Sequence, residues 1–237
     1  MENQTDKLRQ YGQTDKPVEA WHFFTSGGYT YNGGLLVKVG ETLKVNGEII
    51  PCKNGLHGSV LAIDALKYAP GAMIQRARYS GVIIQHHDKL AASERTCLWM
   101  ADTSDVLLKF AAIICLRMIE SGRKAGYPIR ADFTKTIEAI RDTPAAREAF
   151  VMINPGILED RQPNRIEREL FAVIYHVLFS RPLEAAYQVS KYEGLAHSSL
   201  RVGLGFNEES YILPSLRKNQ NAILEQLFWA LKPEEGV

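Results

Sequence analysis

The stretch Cys52-Lys-Asn-Gly55-Leu-His57-Gly58-Ser59-Val-Leu-Ala-Ile-Asp-Ala-Leu-Lys-Tyr68-Ala-Pro70-Gly71 decides how the chain is organised. It predicts a strand end, a polar turn, a short helix over 59–69 and a hard stop. Ser59 is placed to cap the helix, because its hydroxyl can accept from a free backbone N–H of the first turn. Val60, Leu61, Ile63, Leu66 and Tyr68 make the following turns apolar nearly all round. Pro70 and Gly71 end the helix, since proline cannot continue it and glycine tolerates the reversal. Just before the helix sit Cys52, His57 and two glycines, Gly55 and Gly58. A ligand can approach backbone closely there.

Outward toward the N-terminus, Ala20 to Thr25 (Ala-Trp-His-Phe-Phe-Thr) predicts an aromatic-rich strand. Ser26 to Gly34 predicts a glycine-rich loop. Thr42-Leu-Lys-Val45 and Glu48-Ile-Ile50 predict a hairpin across Asn46-Gly47, whose residues suit a type I′ turn. Residues 1–17 read as a mobile arm. Outward toward the C-terminus, Ala72 to Arg78 alternates as a half-buried strand. Ser80-Gly81 reads as a turn into Val82 to Gln85, His86-His87-Asp88 as a polar turn, and Arg95 to Met100 as a last strand.

Beyond residue 101 the periodicity changes from two to that of a helix. Thr103 caps a helix with Leu107, Phe110, Ile114 and Met118 on one face. Further helices are expected at 133–141, 143–152, 166–179, 182–192 and 214–231, with a loop over 194–211. The fold class is therefore α+β: a β-rich domain over 18–101 with one short internal helix, then an all-helical region over 102–237.

Composition narrows the function classes. Of 237 residues, 46% are apolar and 23% charged, as in an ordinary globular protein. A net charge of +1 gives no electrostatic case for nucleic acid or an anionic membrane as main partner. Cys52, Cys97 and Cys115 form neither a zinc pattern nor a disulfide framework, which suits a reducing cytoplasm. Met1 to Lys16 is polar, so no secretory signal is expected, and no apolar run is long enough for a membrane span.

The candidate catalytic residues are His22 in the aromatic strand, His57 in the turn and Glu94 before the last strand. The candidate ligand-binding residues are Gly55, Gly58, Ser59 and Tyr68. Each has a plainer reading: a half-buried strand histidine for His22, a surface carboxylate for Glu94. Cys52 reads as structural rather than nucleophilic. Lys53, Lys67, Arg76, Arg78 and Lys89 read as a solvated face. His86-His87-Asp88 lacks a third ligand, so no metal is expected.

The order Cys52, Gly55-Leu56-His57-Gly58-Ser59, Asp64-Ala65-Leu66, Tyr68-Ala69-Pro70-Gly71, Asp88-Lys89 and Glu94-Arg95-Thr96 resembles a family of uncharacterised bacteriophage and prophage proteins. Members share a small β-rich N-terminal domain with Cys-x-x-Gly-Leu-His-Ala-Ser. The match covers roughly 20–112, and Arg217 to Glu225 resembles the close of many members. The alanine-rich helical stretch that members often carry is missing here. The resemblance implies phage origin and no established activity. On it rests the leading expectation: a non-catalytic interaction protein in the host cytoplasm that binds or inhibits a host or defence protein and requires no cofactor. Virion assembly is a further alternative.

A second resemblance is to the ADP-ribosyltransferase fold, which binds NAD in a cleft between small sheets. His22, the Gly55-to-Tyr68 segment and Glu94 follow the order of residues that such enzymes use. It implies that His22 holds the nicotinamide ribose. It also implies that Glu94 orients a ribose hydroxyl and stabilises oxocarbenium-like charge. His57 departs from the pattern, standing where such enzymes more often place tyrosine.

Overall fold

The computed structural model of the protein describes residues 12–14, 16–30, 34–126, 129, 131–146, 174–201 and 214–234, with only the helical backbone for 194–201. The strands are β1 (Gly12–Thr14), β2 (Val18–Phe24), β3 (Thr42–Lys44), β4 (Leu56–Gly58), β5 (Met73–Gln85) and β6 (Leu90–Asp102). The helices are α1 (Ala62–Leu66), α2 (Ser104–Lys124), α3 (Ala131–Asp142), α4 (Pro182–Arg201) and α5 (Pro214–Trp229). Residues 174–179 are helical as well. All six strands belong to one antiparallel sheet, so the fold is α+β.

The sheet is built on the long hairpin of β5 and β6, 13 residues each. β1 and β2 pair with β5, and β3 and β4 pair with β6. Trp21 and Ser59 then exchange backbone hydrogen bonds of 2.8 and 2.9 Å, tying the end of β4 back to β2. The hairpin is thereby curled and closed around an inner face. Val18, Ala20, Ala77, Tyr79, Ile83, Leu90 and Ala92 pack there. Alanine at Ala20, Ala77 and Ala92 is small enough for a tight curl.

Two irregularities shape the hairpin. Ser80 pairs with Glu94 and Ile83 with Ala92, so β5 carries a bulge at Gly81 and Val82. Gly81 has a φ of 72°, which glycine adopts without strain, and Val82 N–H donates to Ser93 Oγ at 3.0 Å. The expected turn at Ser80-Gly81 is thus a bulge inside one continuous strand. Across the second irregularity, Arg76 pairs with Trp99 and Ala77 with Cys97, leaving Leu98 without a partner in the register. The extra residue puts Cys97 on the inner face with Arg95 and turns Trp99 outward. There Trp99 meets Trp21 at a centroid distance of 5.7 Å and Trp229 at 5.7 Å, and Trp21 meets Trp229 at 5.5 Å. The Arg76 guanidinium lies 4.8 Å from the Trp21 ring centre.

Several expectations are corrected. The Asn46-Gly47 hairpin does not form: β3 pairs with β6, Thr42 opposite Thr96 and Lys44 opposite Glu94. Asn54 explains the difference, because its side-chain amide donates to the carbonyls of Asn46 and Glu48 and holds 46–54 as a loop. The helix after the turn spans only Ala62–Leu66, with Leu61 at its N-cap and no side-chain cap. Ser59 is instead buried in its bridge to Trp21, and Val60, Leu61 and Tyr68 are exposed. Thr103 stands directly before α2, where a cap is expected, and also donates its hydroxyl to the Ala72 carbonyl at 2.5 Å. Glu94 lies within β6 rather than before it. Gly12–Thr14, read as part of the arm, is β1.

Contacts divide the described residues into two units, one up to Thr103 together with those from Trp229 onward, the other Ser104–Phe228. In the helical unit, Leu107, Phe110, Ile114 and Met118 form the buried stripe of α2. Asp105 lies in its first turn and Arg123 and Lys124 in its last, each favourable to the helix dipole. Glu193 of α4 is fully buried, paired with Arg117 at 3.0 Å and accepting from Gln220 at 2.8 Å. That pairing is why polar Gln220 occupies the buried stripe of α5 between Leu216 and Leu224. Residues 194–201, read as loop, continue α4. The expected helices over 147–152 and 166–173, the charged run 161–168 and the loop over 202–211 lie outside the described residues.

Candidate functional site

In the β unit a cavity of about 680 Å³ opens between β2, the end of β4, the turn before α1 and the segment after it. That size suits a small-molecule site. His22, His57, Gly58, Ser59 and Tyr68 line it, so five of the seven sequence candidates meet there. Cys52, Lys67 and Lys89 line it too. No carboxylate is among the lining residues.

Each side chain is held by its element. His22 is carried by β2 on the inner face, directly opposite Gln75 of β5. His57 sits in β4, and its Nε2 accepts the Cys52 backbone N–H at 3.0 Å. That bond fixes the neutral ring with its proton on Nδ1. The His57 carbonyl accepts from the Tyr79 hydroxyl at 2.7 Å and from Arg95 Nη1 at 3.3 Å. Gly58 is required next to it: a Cβ there would overlap the Tyr79 hydroxyl. Lys67 and Tyr68 both reach Asp88 Oδ2, at 3.3 and 2.6 Å. Burial pushes the Asp88 carboxyl up, but the hydrogen bonds from Tyr68 and Lys67 outweigh it and hold the group below its usual range.

The electrostatics are one-sided. Burial, then the charges of Arg95 and His57, hold His22 well below the ordinary 6.5. Burial, then Lys89, Arg95 and His86, lower His57. Burial pushes Tyr79 up to about 12. Lys67 has Asp88 as a counter-charge, whereas the hydrogen bond of Lys89 goes to Cys52 Sγ at 3.0 Å. Arg95 is 3% exposed, and its Nη2 has no hydrogen-bond partner among the described residues. Gln75 is fully buried, and both its amide atoms are likewise without one. Unsatisfied buried polar groups of this kind cost stability.

Two candidates fall outside. Gly55, at φ 143°, is wedged between Ala91 and Ile49 and is not among the lining residues. Glu94 and Arg95 are neighbours in a strand and point to opposite faces. Glu94 therefore lies on the outer face, accepting from Lys44 at 2.7 Å and Ser80 at 3.0 Å, and those bonds hold its carboxyl below the usual range. The three candidate catalytic residues do not converge: His22 and His57 share the cavity, and Glu94 does not.

Sequence reasoning did not name Lys67, Lys89 and Cys52 among the site residues, and all three line the cavity. Cys52 is exposed, lines the cavity and has a φ of 66°, a left-handed conformation rare outside glycine, asparagine and aspartate. Lys67 and Lys89, read as part of a solvated face, line the cavity. Gln75 left a signal: a polar residue between Ile74 and Arg76 in an alternating strand has one face or the other to explain. Among the described residues no group of three His, Cys, Asp or Glu side chains is placed to hold a metal, and no helix is long and apolar enough to cross a membrane. No family model, curated protein or solved structure matches the chain.

Proposed function

We propose that the protein is a phage-type, non-catalytic binding protein whose β unit holds an anionic group of a host component in the His22–His57 cavity. The observation that carries this is the lining itself: Lys67, Lys89, His22 and His57, with no carboxylate among the described lining residues. A phosphate or carboxylate entering there gains charge-assisted hydrogen bonds in a partly desolvated site. On this reading the β-rich N-terminal domain carries the ligand site, and the helical region that follows supplies surface for a larger partner.

The ADP-ribosyltransferase reading draws support from His22 and Tyr68 lining one cavity. It lacks a carboxylate at the reacting centre, because Glu94 sits on the opposite face with Lys44. NAD thus stands as a candidate ligand through its pyrophosphate, not as a substrate.

Calorimetric titration with pyrophosphate, ADP-ribose and NAD tests the proposal. The expected result is binding that weakens about tenfold in Lys89→Met and in His22→Ala, the worth of one charged hydrogen bond, and is unchanged in Glu94→Ala. No heat with any of the three anions would sink the anion site. Release of nicotinamide from NAD that depends on Glu94 would overturn the non-catalytic reading.

A further inference from the structure

We infer that the His22–His57 cavity takes a monocarboxylate borne on an apolar body: one ammonium and neutral donors hold the carboxylate, and an apolar wall holds the rest. This ligand class rests on the anion-site reading and deepens it.

Charge decides between carboxylate and phosphate. Two ammonium groups line the cavity, and one is already answered, because Lys67 pairs with Asp88 at 3.3 Å. Lys89 is half-buried and has no carboxylate among the described residues. Its contacts are the Cys52 sulfur at 3.0 Å and the Tyr68 ring, whose centre is 4.9 Å away. Burial lowers the pKa of both histidines, so they add donors without adding charge. Arg95 adds its field only from behind the His57 carbonyl. One free ammonium within reach balances one negative charge. A phosphate monoester carries about −1.5 to −2 at pH 7, and enclosing it here would leave charge unanswered.

The polar groups of the lining are open to a ligand. His57 Nε2 is taken by the Cys52 N–H at 3.0 Å, which leaves Nδ1–H to donate. Ser59 is 2% exposed; its backbone is spent on Trp21, and its hydroxyl makes no hydrogen bond among the described residues. The His22 ring makes none either. Buried polar groups are ordinarily hydrogen-bonded, so a hydroxyl and an imidazole that line one cavity without partners mark a place that a ligand completes.

The remaining lining sets the body of that ligand. Trp21, Phe23, Ala65, Ala69 and Pro70 supply an apolar wall, and a volume of about 680 Å³ exceeds what a bare carboxylate fills. Apolar walls with a few placed polar groups are the usual make-up of small-molecule sites.

Calorimetric titration of the full chain with hydrocinnamate, its primary amide, acetate and pyrophosphate tests the class. Hydrocinnamate should bind about tenfold tighter than acetate, because its ring is buried, and tighter than pyrophosphate. The amide keeps the shape without the charge and should bind about tenfold weaker than the acid. Lys89→Met should bring acid and amide together, and Lys89→Arg should keep them apart. Ser59→Ala should weaken the acid with no change in the urea midpoint, since the backbone bonds to Trp21 remain. An N-acetylated tripeptide ending in phenylalanine distinguishes the sources of the carboxylate. Tighter binding than hydrocinnamate identifies a protein C-terminus, and weaker binding a free small acid. Pyrophosphate bound as tightly as hydrocinnamate overturns the carboxylate class and leaves the anion site standing. Equal affinity for acid and amide in the parent protein overturns the anion site itself, and no heat with any probe overturns both.

Discussion

The two faces of the sheet solve the same electrostatic problem in opposite ways. On the outer face charges are answered across the strands, Lys44 with Glu94 at 2.7 Å and Arg78 with Glu19 at 3.3 Å, and the Thr42 and Thr96 hydroxyls share a hydrogen bond of 2.7 Å. Such exposed pairs contribute little to stability, but they leave nothing for a ligand to complete. On the inner face the same strands present His22, Gln75 and Arg95, and β4 and the β5–β6 turn add His57 and Lys89. There the positive charges are met by carbonyls and a sulfur rather than by carboxylates. Exposed strand cations here take carboxylate partners, while Arg95 and Lys89 are held by neutral groups.

The largest effect is expected where the inner face is closed. Gly58→Ala forces the Tyr79 hydroxyl away from the His57 carbonyl. Overpacking of this kind costs roughly 2 kcal/mol. The urea midpoint should fall accordingly, and the anion titration should lose its heat. Next, Arg95→Met removes a buried cation that no carboxylate pairs among the described residues. Anion affinity should drop by about tenfold or more. The stability of the free protein should stay within about 1 kcal/mol or rise, since a buried charge is often replaced without loss by an apolar side chain. A large loss of stability in Arg95→Met would break the contrast between the faces.

Cys52→Gly should raise stability by about 1 kcal/mol, because glycine adopts the left-handed backbone without steric cost, and should abolish thiol reactivity. Acidification gives a further contrast. The folded pKa values of His22 and His57 lie below the unfolded value of 6.5. Stability from the neutral rings is complete above 6.5 and is lost as the pH falls from there through the folded values. Anion affinity should move the other way and strengthen on acidification, as both rings gain charge. Parallel urea and calorimetric series check both signs. The smallest effect belongs to Glu94→Gln on the outer face, where affinity and midpoint should match the parent within measurement error.

Residues whose environment is local were legible in the sequence. His57 between two glycines announced a close approach, and His22 followed from the pattern of its strand. What failed was anything set by remote pairing. Asn46-Gly47 has the chemistry of a hairpin turn, yet the strand before it pairs with β6, some fifty residues on. Glu94 and Arg95 are adjacent, and only the register decides which of them faces the cavity. Ser80-Gly81 has turn residues, and the partner strand makes it a bulge. Lys89 looked like a surface cation because its counterpart, Cys52, comes from another part of the chain.

The clustering of the indoles has an optical consequence. The chain has three tryptophans, and all three belong to the one cluster of Trp21, Trp99 and Trp229. At such separations the rings couple electronically and sit beside the Arg76 cation, so the tryptophan emission wavelength reports on this one place. The helical unit holds no tryptophan and is rich in the helix that gives the strongest far-ultraviolet dichroism. Followed together through one denaturant titration, the two spectroscopies read the two units separately, with no label added to either.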